Sequence, residues 1–302
     1  MTVHSISLSA HGFELEVAPE AGGGIAGLSW YGYPLLRPAI EGAVASADPL
    51  GLSCFPMTPY VSRIVDGVFT WGGVRTAIPP NMAGGSHPLH GIGWRNPWRV
   101  LAHSDSFLEI ELHHFGDISW PWAFITRQLF HLLPDAFELT LSVESLDPRP
   151  FPASLGPHPY FVSDAATLQI CAESLWETTG EALPSHTARP PAIDQLYRSV
   201  KVTELDLDHC FEGWNGRAQI DWPSHGLILE ANLWVDETPS PCTRLQLYTP
   251  PRAGFFCLEP VTARAVAFTT SNPKELGVIE LEQQKLSIVT RIVPFMKVGP
   301  TT

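Results

Sequence analysis

The stretch FELTLSVES, residues 137–145, sets Phe137, Leu139, Leu141 and Val143 against Glu138, Thr140, Ser142 and Glu144 in strict alternation. Successive side chains of an extended strand point to opposite faces, so this beat marks a strand with one buried face and one wetter face. The same period of two runs through LEIELHH (108–114) and LILEANLWV (227–235). Helical spacing is scarce; residues 41–47 and 272–276 are the best candidates for short helices. Turn signals such as PEAGGG, IPPN, AGGSHP, DPRPFP and TPPRAG divide the strands at short intervals, drawing on 24 glycines and 29 prolines. Many short strands so punctuated predict an all-β chain, a large sandwich or barrel, with residues 1–302 forming one domain. The glycine-rich GGGIAG (22–27) lacks the register and the βαβ setting of a dinucleotide site and reads as a hairpin turn. One irregular stretch, 177–204, is rich in proline and polar residues, and loops of that length in compact domains tend to be functional.

Charge narrows the partners. The chain carries 18 Lys and Arg against 31 Asp and Glu, a formal net charge of −13. Nucleic-acid affinity comes largely from cations that neutralise phosphates, so this balance argues against nucleic acid and anionic membranes and for a neutral ligand. The N-terminal residues MTVHSISLSAHGFELEV have no secretory pattern, and no apolar run approaches a membrane span. The five cysteines, Cys54, Cys171, Cys210, Cys242 and Cys257, are odd in number, scattered and free of CxxC spacing. Reduced thiols and a cytoplasmic location are the expectation.

Five islands carry residues able to do chemistry. Arg63 sits in CFPMTPYVSRIVDG (54–67), an apolar run that reads as a strand, where it is either a salt-bridged core residue or a ligand clamp. HPLHGIGWRNPW (87–98) contributes His87 and His90, with Trp94 and Trp98 beside them. His158 lies between prolines in LGPHPYFV (155–162). Glu259 lies in the apolar FFCLEPVTARAVAF (255–268), and Asp208 in LDLDHCF follows the long irregular stretch. A buried carboxylate is costly unless paired, and desolvation raises its pKa toward neutrality, the setting of a general acid or base. The alternative for Glu259 is an outward position at a strand end, and for Asp208 a turn or surface position. No metal is expected: Pro88 between His87 and His90 rules out two ligands on one helix face, and no carboxylate motif joins them or His113 and His114. No GxSxG elbow occurs.

In this order the islands resemble the aldose 1-epimerase, or galactose mutarotase, family, on SRI (62–64), PLHGIGW (88–94), HPYF (158–161), LDHCF (207–211) and CLEPVT (257–262). The resemblance spans roughly residues 10–295 and is nearest to a shorter bacterial branch. It implies a large antiparallel β-sandwich with few short helices, an open cleft on a concave sheet, a monosaccharide aldose as partner, and no cofactor. It implies a monomer or homodimer. It also implies that Glu259 is the general base and His158 the general acid. His90, Arg63 and Asp208 then hold sugar hydroxyls and the ring oxygen, and Ser62 and Tyr160 line the same cleft. Ser62 stands where many members carry Asn, so its share of the sugar contacts differs.

The implied reaction interconverts α and β anomers. The anomeric hydroxyl loses a proton, the ring oxygen gains one, the ring opens to the aldehyde, and rotation about C1–C2 allows reclosure from the other face. A carboxylate and an imidazole on opposite sides of the ring serve this if both pKa values, ordinarily about 4.3 and 6.5, are shifted modestly upward. His90 then contacts sugar, His87 is structural or at the rim, and Trp71, Trp94 and Trp98 pack in the core. The alternatives are a non-catalytic carbohydrate-binding β-sandwich, a glycoside hydrolase or lyase using Asp208 and Glu259, and a hexose-6-phosphate mutarotase, against which the acidic balance argues.

Overall fold

The computed structural model describes residues 4–179 and 183–297. Two large antiparallel sheets face each other. From edge to edge the larger runs through Ile6–Ala10, Phe13–Ala18, Gly24–Trp30, Cys54–Met57, Gly156–Val162, Phe255–Val261, Arg244–Tyr248, Asp208–Glu212, Ser174–Thr178 and Pro184–Ala188. The smaller runs through Val200–Lys201, Thr167–Ile170, Arg217–Asp221, His225–Val235, Lys285–Met296, Phe137–Ser145, Ala123–Leu132, Phe107–Phe115 and Arg99–His103. The alternating stretches 108–114, 137–145 and 227–235 all lie in this second sheet, and Leu139, Leu141 and Val143 turn into the core as their spacing requires.

One continuous apolar core fills the space between the sheets. Polar ties cross it: Thr58 Oγ1 donates to Thr126 Oγ1 (3.2 Å), and Gln128 Nε2 donates to the Gly23 carbonyl (2.8 Å). These buried hydrogen bonds fix how one sheet slides over the other, because breaking one strands a desolvated partner. Trp94, Trp98 and Trp71 are all buried, and the first two donate their indole N–H to loop carbonyls.

Several local expectations are corrected. Residues 41–47 and 272–276 are turns, not helices; Gly42 and Ala47 adopt positive φ in the first, and the second is too short between Pro273 and Gly277 to propagate. The described α-helix is Pro191–Leu196, inside the stretch 177–204, which also holds the strand Pro184–Ala188 and so is far from a structureless loop. GGGIAG is a turn only at Gly22 and Gly23; from Gly24 it is strand. The run around Arg63 leaves the sheet after Met57. Pro59 has no N–H for a ladder, Ser62 turns at φ 56, and Arg63 keeps a single bridge to Leu89.

Candidate active site

Five neighbouring strands of the larger sheet make the floor of a cavity of about 380 Å³. Period two decides what each strand shows it. On Gly156–Val162, His158 and Tyr160 face the cavity while Phe161 faces the core. On Phe255–Val261, Glu259 and Val261 face it while Phe256 and Leu258 are buried beneath. On Arg244–Tyr248, Gln246 and Tyr248 alternate with the buried Leu245 and Leu247, and on Asp208–Glu212 it is Asp208 and Cys210 against Phe211. The register sets Gln246 opposite Glu259 and Phe55 opposite His158. Loops supply one wall, Ser62 and Arg63 with Leu89 and His90 beside them, and the strand ends Thr178 and Pro184 supply another.

The cavity thus gathers Glu259, His158, Arg63, His90, Asp208, Tyr160 and Ser62. His87 is elsewhere, half-buried, its Nδ1 accepting from the Asp66 N–H (2.9 Å). Asp208 is half-buried at the start of a strand, neither in a turn nor on the surface.

His158 Nε2 lies 3.3 Å from Glu259 Oε1, and both side chains are buried. They come from adjacent strands and stand side by side on the cavity floor. Burial raises the Glu259 carboxyl well above its ordinary range, with the Asp208 charge adding to the rise. Burial pushes the His158 imidazole down to about 3. The expected upward shift therefore holds for the carboxyl and reverses for the imidazole, because desolvation disfavours whichever form is charged. Both shifts disfavour the charged forms, so a proton held between the two is favoured on Glu259.

His90 is held by Ser62 through two backbone contacts: the His90 N–H donates to the Ser62 carbonyl (2.9 Å), and the Ser62 N–H donates to His90 Nδ1 (3.2 Å). An Nδ1 that accepts leaves the proton of the neutral ring on Nε2. Burial, then His158 and Arg63, keep that ring neutral. Asp208 Oδ1 accepts from Gln246 Nε2 (2.7 Å); burial raises its carboxyl, and the nearby Arg63 charge opposes the rise. Arg63 is the sole Lys or Arg lining the cavity among the described residues.

His158, Cys257 and Glu259 place one ligand atom each within 4.8 Å of one another. Burial raises both the Cys257 thiol and the Glu259 carboxyl well above their ordinary values, so a divalent cation there would have to displace both protons.

Gln246, Tyr248 and Phe255 also line the cavity, and no motif in the sequence marks them. The alternation in RLQLY gives Gln246 and Tyr248 a common face, but nothing local says that the face is a site.

A family model for aldose 1-epimerase matches residues 4–286. The uncharacterized protein YphB of Escherichia coli K12 is 31% identical over 273 residues, covering 87% of this chain and 88% of that one. Among solved structures, a candidate aldose 1-epimerase of Escherichia coli K12 superposes with a TM-score of 0.86 at 26% identity, covering 98% of this chain and all of its own. A galactose mutarotase-like protein of Clostridium acetobutylicum follows with a TM-score of 0.81 at 16% identity, covering 98% and 99%; at that identity the likeness is one of fold.

Proposed function

The chain belongs to the aldose 1-epimerase family, and from that premise we propose that it is a mutarotase for a free monosaccharide aldose, with Glu259 and His158 as its proton-transfer pair. The observation that carries this reading is the 3.3 Å contact between His158 Nε2 and Glu259 Oε1 on the floor of a sugar-sized cavity. The anomeric oxygen and the ring oxygen are both bonded to C1, so a side-by-side pair can reach both.

A sugar that donates its anomeric hydroxyl to Glu259 and accepts from Nε2 with its ring oxygen draws the shared proton from the carboxyl to the imidazole. Glu259 then takes the O1 proton as His158 gives its own to O5; the C1–O5 bond breaks and the aldehyde forms. After rotation about C1–C2, both transfers run backward and close the other anomer. The pair ends with the protons it began with, so no cofactor enters the balance. His90 offers an Nε2–H donor to a hydroxyl, while Arg63 and Asp208 offer a donor set and an acceptor. Tyr160, whose phenol burial keeps neutral, and Ser62 complete the wall.

A single cation, Arg63, beside the two acidic side chains Asp208 and Glu259 favours a neutral sugar over a phosphorylated one. A cytoplasmic setting fits the scattered, unpaired cysteines. The test is polarimetry on freshly dissolved single anomers of glucose, galactose, L-arabinose and D-xylose. Wild type accelerates equilibration of at least one, and Glu259→Gln and His158→Asn each lose on the order of 10²–10⁴-fold in kcat. Sugar binding without acceleration would replace this reading with a carbohydrate-binding one.

A further inference from the structure

Phe55, His158, Tyr160 and Arg37 form a column of planar groups behind the reaction centre, and its last member is a cation. Phe55 stacks on His158 with ring centroids 4.3 Å apart, and His158 stacks on Tyr160 at 4.9 Å. The Arg37 guanidinium carbon lies 4.2 Å from the Tyr160 ring centroid. One face of a phenol ring cannot hold two planar groups at such distances, so Arg37 covers the face away from His158. Arg37 is itself fixed: its Nη2 donates to the carbonyls of Leu52 (2.6 Å) and Leu50 (3.2 Å), and its backbone N–H donates to the Tyr160 carbonyl (2.7 Å). Neither side-chain contact is to a carboxylate, so among the described residues no ion pair cancels its charge.

What this column does follows from an orphan. A histidine in a proton-transfer role is normally oriented by a hydrogen bond on its second ring nitrogen. His158 Nδ1 is buried with no hydrogen-bond partner beyond the carbonyl of its own residue. Packing against Phe55 and Tyr160 must therefore supply the orientation that a second hydrogen bond would give. We propose that Arg37 is a positioning residue for the proton-transfer pair: anchored on two carbonyls, it clamps Tyr160 against His158 and so fixes the plane in which Nε2 meets Glu259.

Cation–π attraction holds Arg37 to the ring at little entropic cost, because the guanidinium is already tethered. Its charge also opposes a second proton on His158, in the same sense as the burial that dominates. The other titratable groups facing His158 are Glu259 and Cys257 from one neighbouring strand, Cys54 from the other, and His90 from the loop; none is a fixed cation.

The role in catalysis rests on the mutarotase reading, so the experiment pairs kinetics with a measurement that needs no substrate. Arg37→Met keeps an unbranched side chain over Tyr160 and removes the charge; Arg37→Lys keeps the charge. Polarimetry gives kcat and KM, and NMR of histidine-labelled protein follows His158 protonation. The expected result is a kcat about tenfold lower in R37M with KM within roughly twofold, a His158 titration moved up by about one pH unit, and recovery of most of both in R37K. A wild-type kcat and titration in R37M would overturn the proposal, as would a raised KM with kcat and titration unchanged, which would make Arg37 a sugar contact. Should R37M not fold, Arg37→Gln is read by the same measurements. If wild type accelerates no sugar, the mutarotase reading fails, while the titration still decides whether Arg37 acts on His158.

Discussion

Ser62 and His90 lock each other through the Ser62 backbone: the His90 N–H reaches the Ser62 carbonyl, the Ser62 N–H reaches the His90 ring at Nδ1, and both residues sit at φ 56. The lock uses no part of the serine side chain. Left-handed backbone costs most L-residues roughly 1–2 kcal/mol, and asparagine tolerates it better than serine. Ser62→Asn should therefore keep the His90 geometry and gain less than about 1 kcal/mol of stability. Thermal melts and kcat/KM check this together; lost activity would show that the hydroxyl itself touches sugar.

Gly91, the residue after His90, should not tolerate a side chain. It adopts φ 72, and a Cβ there would stand 2.0 Å from the Thr58 carbonyl oxygen, which already accepts from Ile92 and Gly93. Gly91→Ala is expected to cost roughly 2–4 kcal/mol through strain and overpacking. A denaturant midpoint within error of wild type would contradict the contact.

Asp208→Asn should shift the pH dependence as well as weaken binding. Removing a negative charge near Glu259 favours the ionised carboxyl, so the Glu259 pKa falls and the alkaline limb of kcat/KM, where the pair loses its shared proton, moves to lower pH. Loss of a charged acceptor for a sugar hydroxyl costs about 10–100-fold in kcat/KM. An unmoved alkaline limb would mean that the two acidic side chains do not feel each other.

Stability should carry the signature of the buried pair. Unfolded, Glu259 and His158 titrate near 4.5 and 6.5; folded, the first lies well above its value and the second at about 3. The raised Glu259 pKa contributes stability that falls as pH rises from 4.5 toward its folded pKa, because the folded state keeps a proton the unfolded state has lost. The depressed His158 pKa contributes stability that falls as pH drops from 6.5 toward about 3, because the unfolded state binds a proton the folded state does not, and where the two ranges overlap they oppose each other. Below pH 4.5 the unfolded state holds one more proton, and stability falls as pH drops to about 3. Glu259→Gln should therefore melt higher than wild type at pH 8, with the gain shrinking toward pH 4.5. A gain independent of pH would mean that Glu259 ionises normally.

Much of this protein is written in local chemistry. Alternation at 108–114, 137–145 and 227–235 requires strands with one buried face, because a strand's side chains alternate whatever its partners are. The same rule puts His158 with Tyr160, and Gln246 with Tyr248, on common faces. The helices expected at 41–47 and 272–276 went wrong because a few apolar residues cannot nucleate a helix between glycine and proline.

Which strands become neighbours is another matter. Cys54–Met57, Gly156–Val162, Phe255–Val261, Arg244–Tyr248 and Asp208–Glu212 meet in an order unlike their order in the chain. That order is a collective outcome of core packing and register, to which no single stretch holds the key. It alone brings Glu259 within 3.3 Å of His158 and buries both. The reversed shift of the imidazole follows, since desolvation belongs to the surroundings and not to the residue type. Arg37 reads in sequence as one arginine in a turn-rich segment; only the folded sheet carries it over Tyr160.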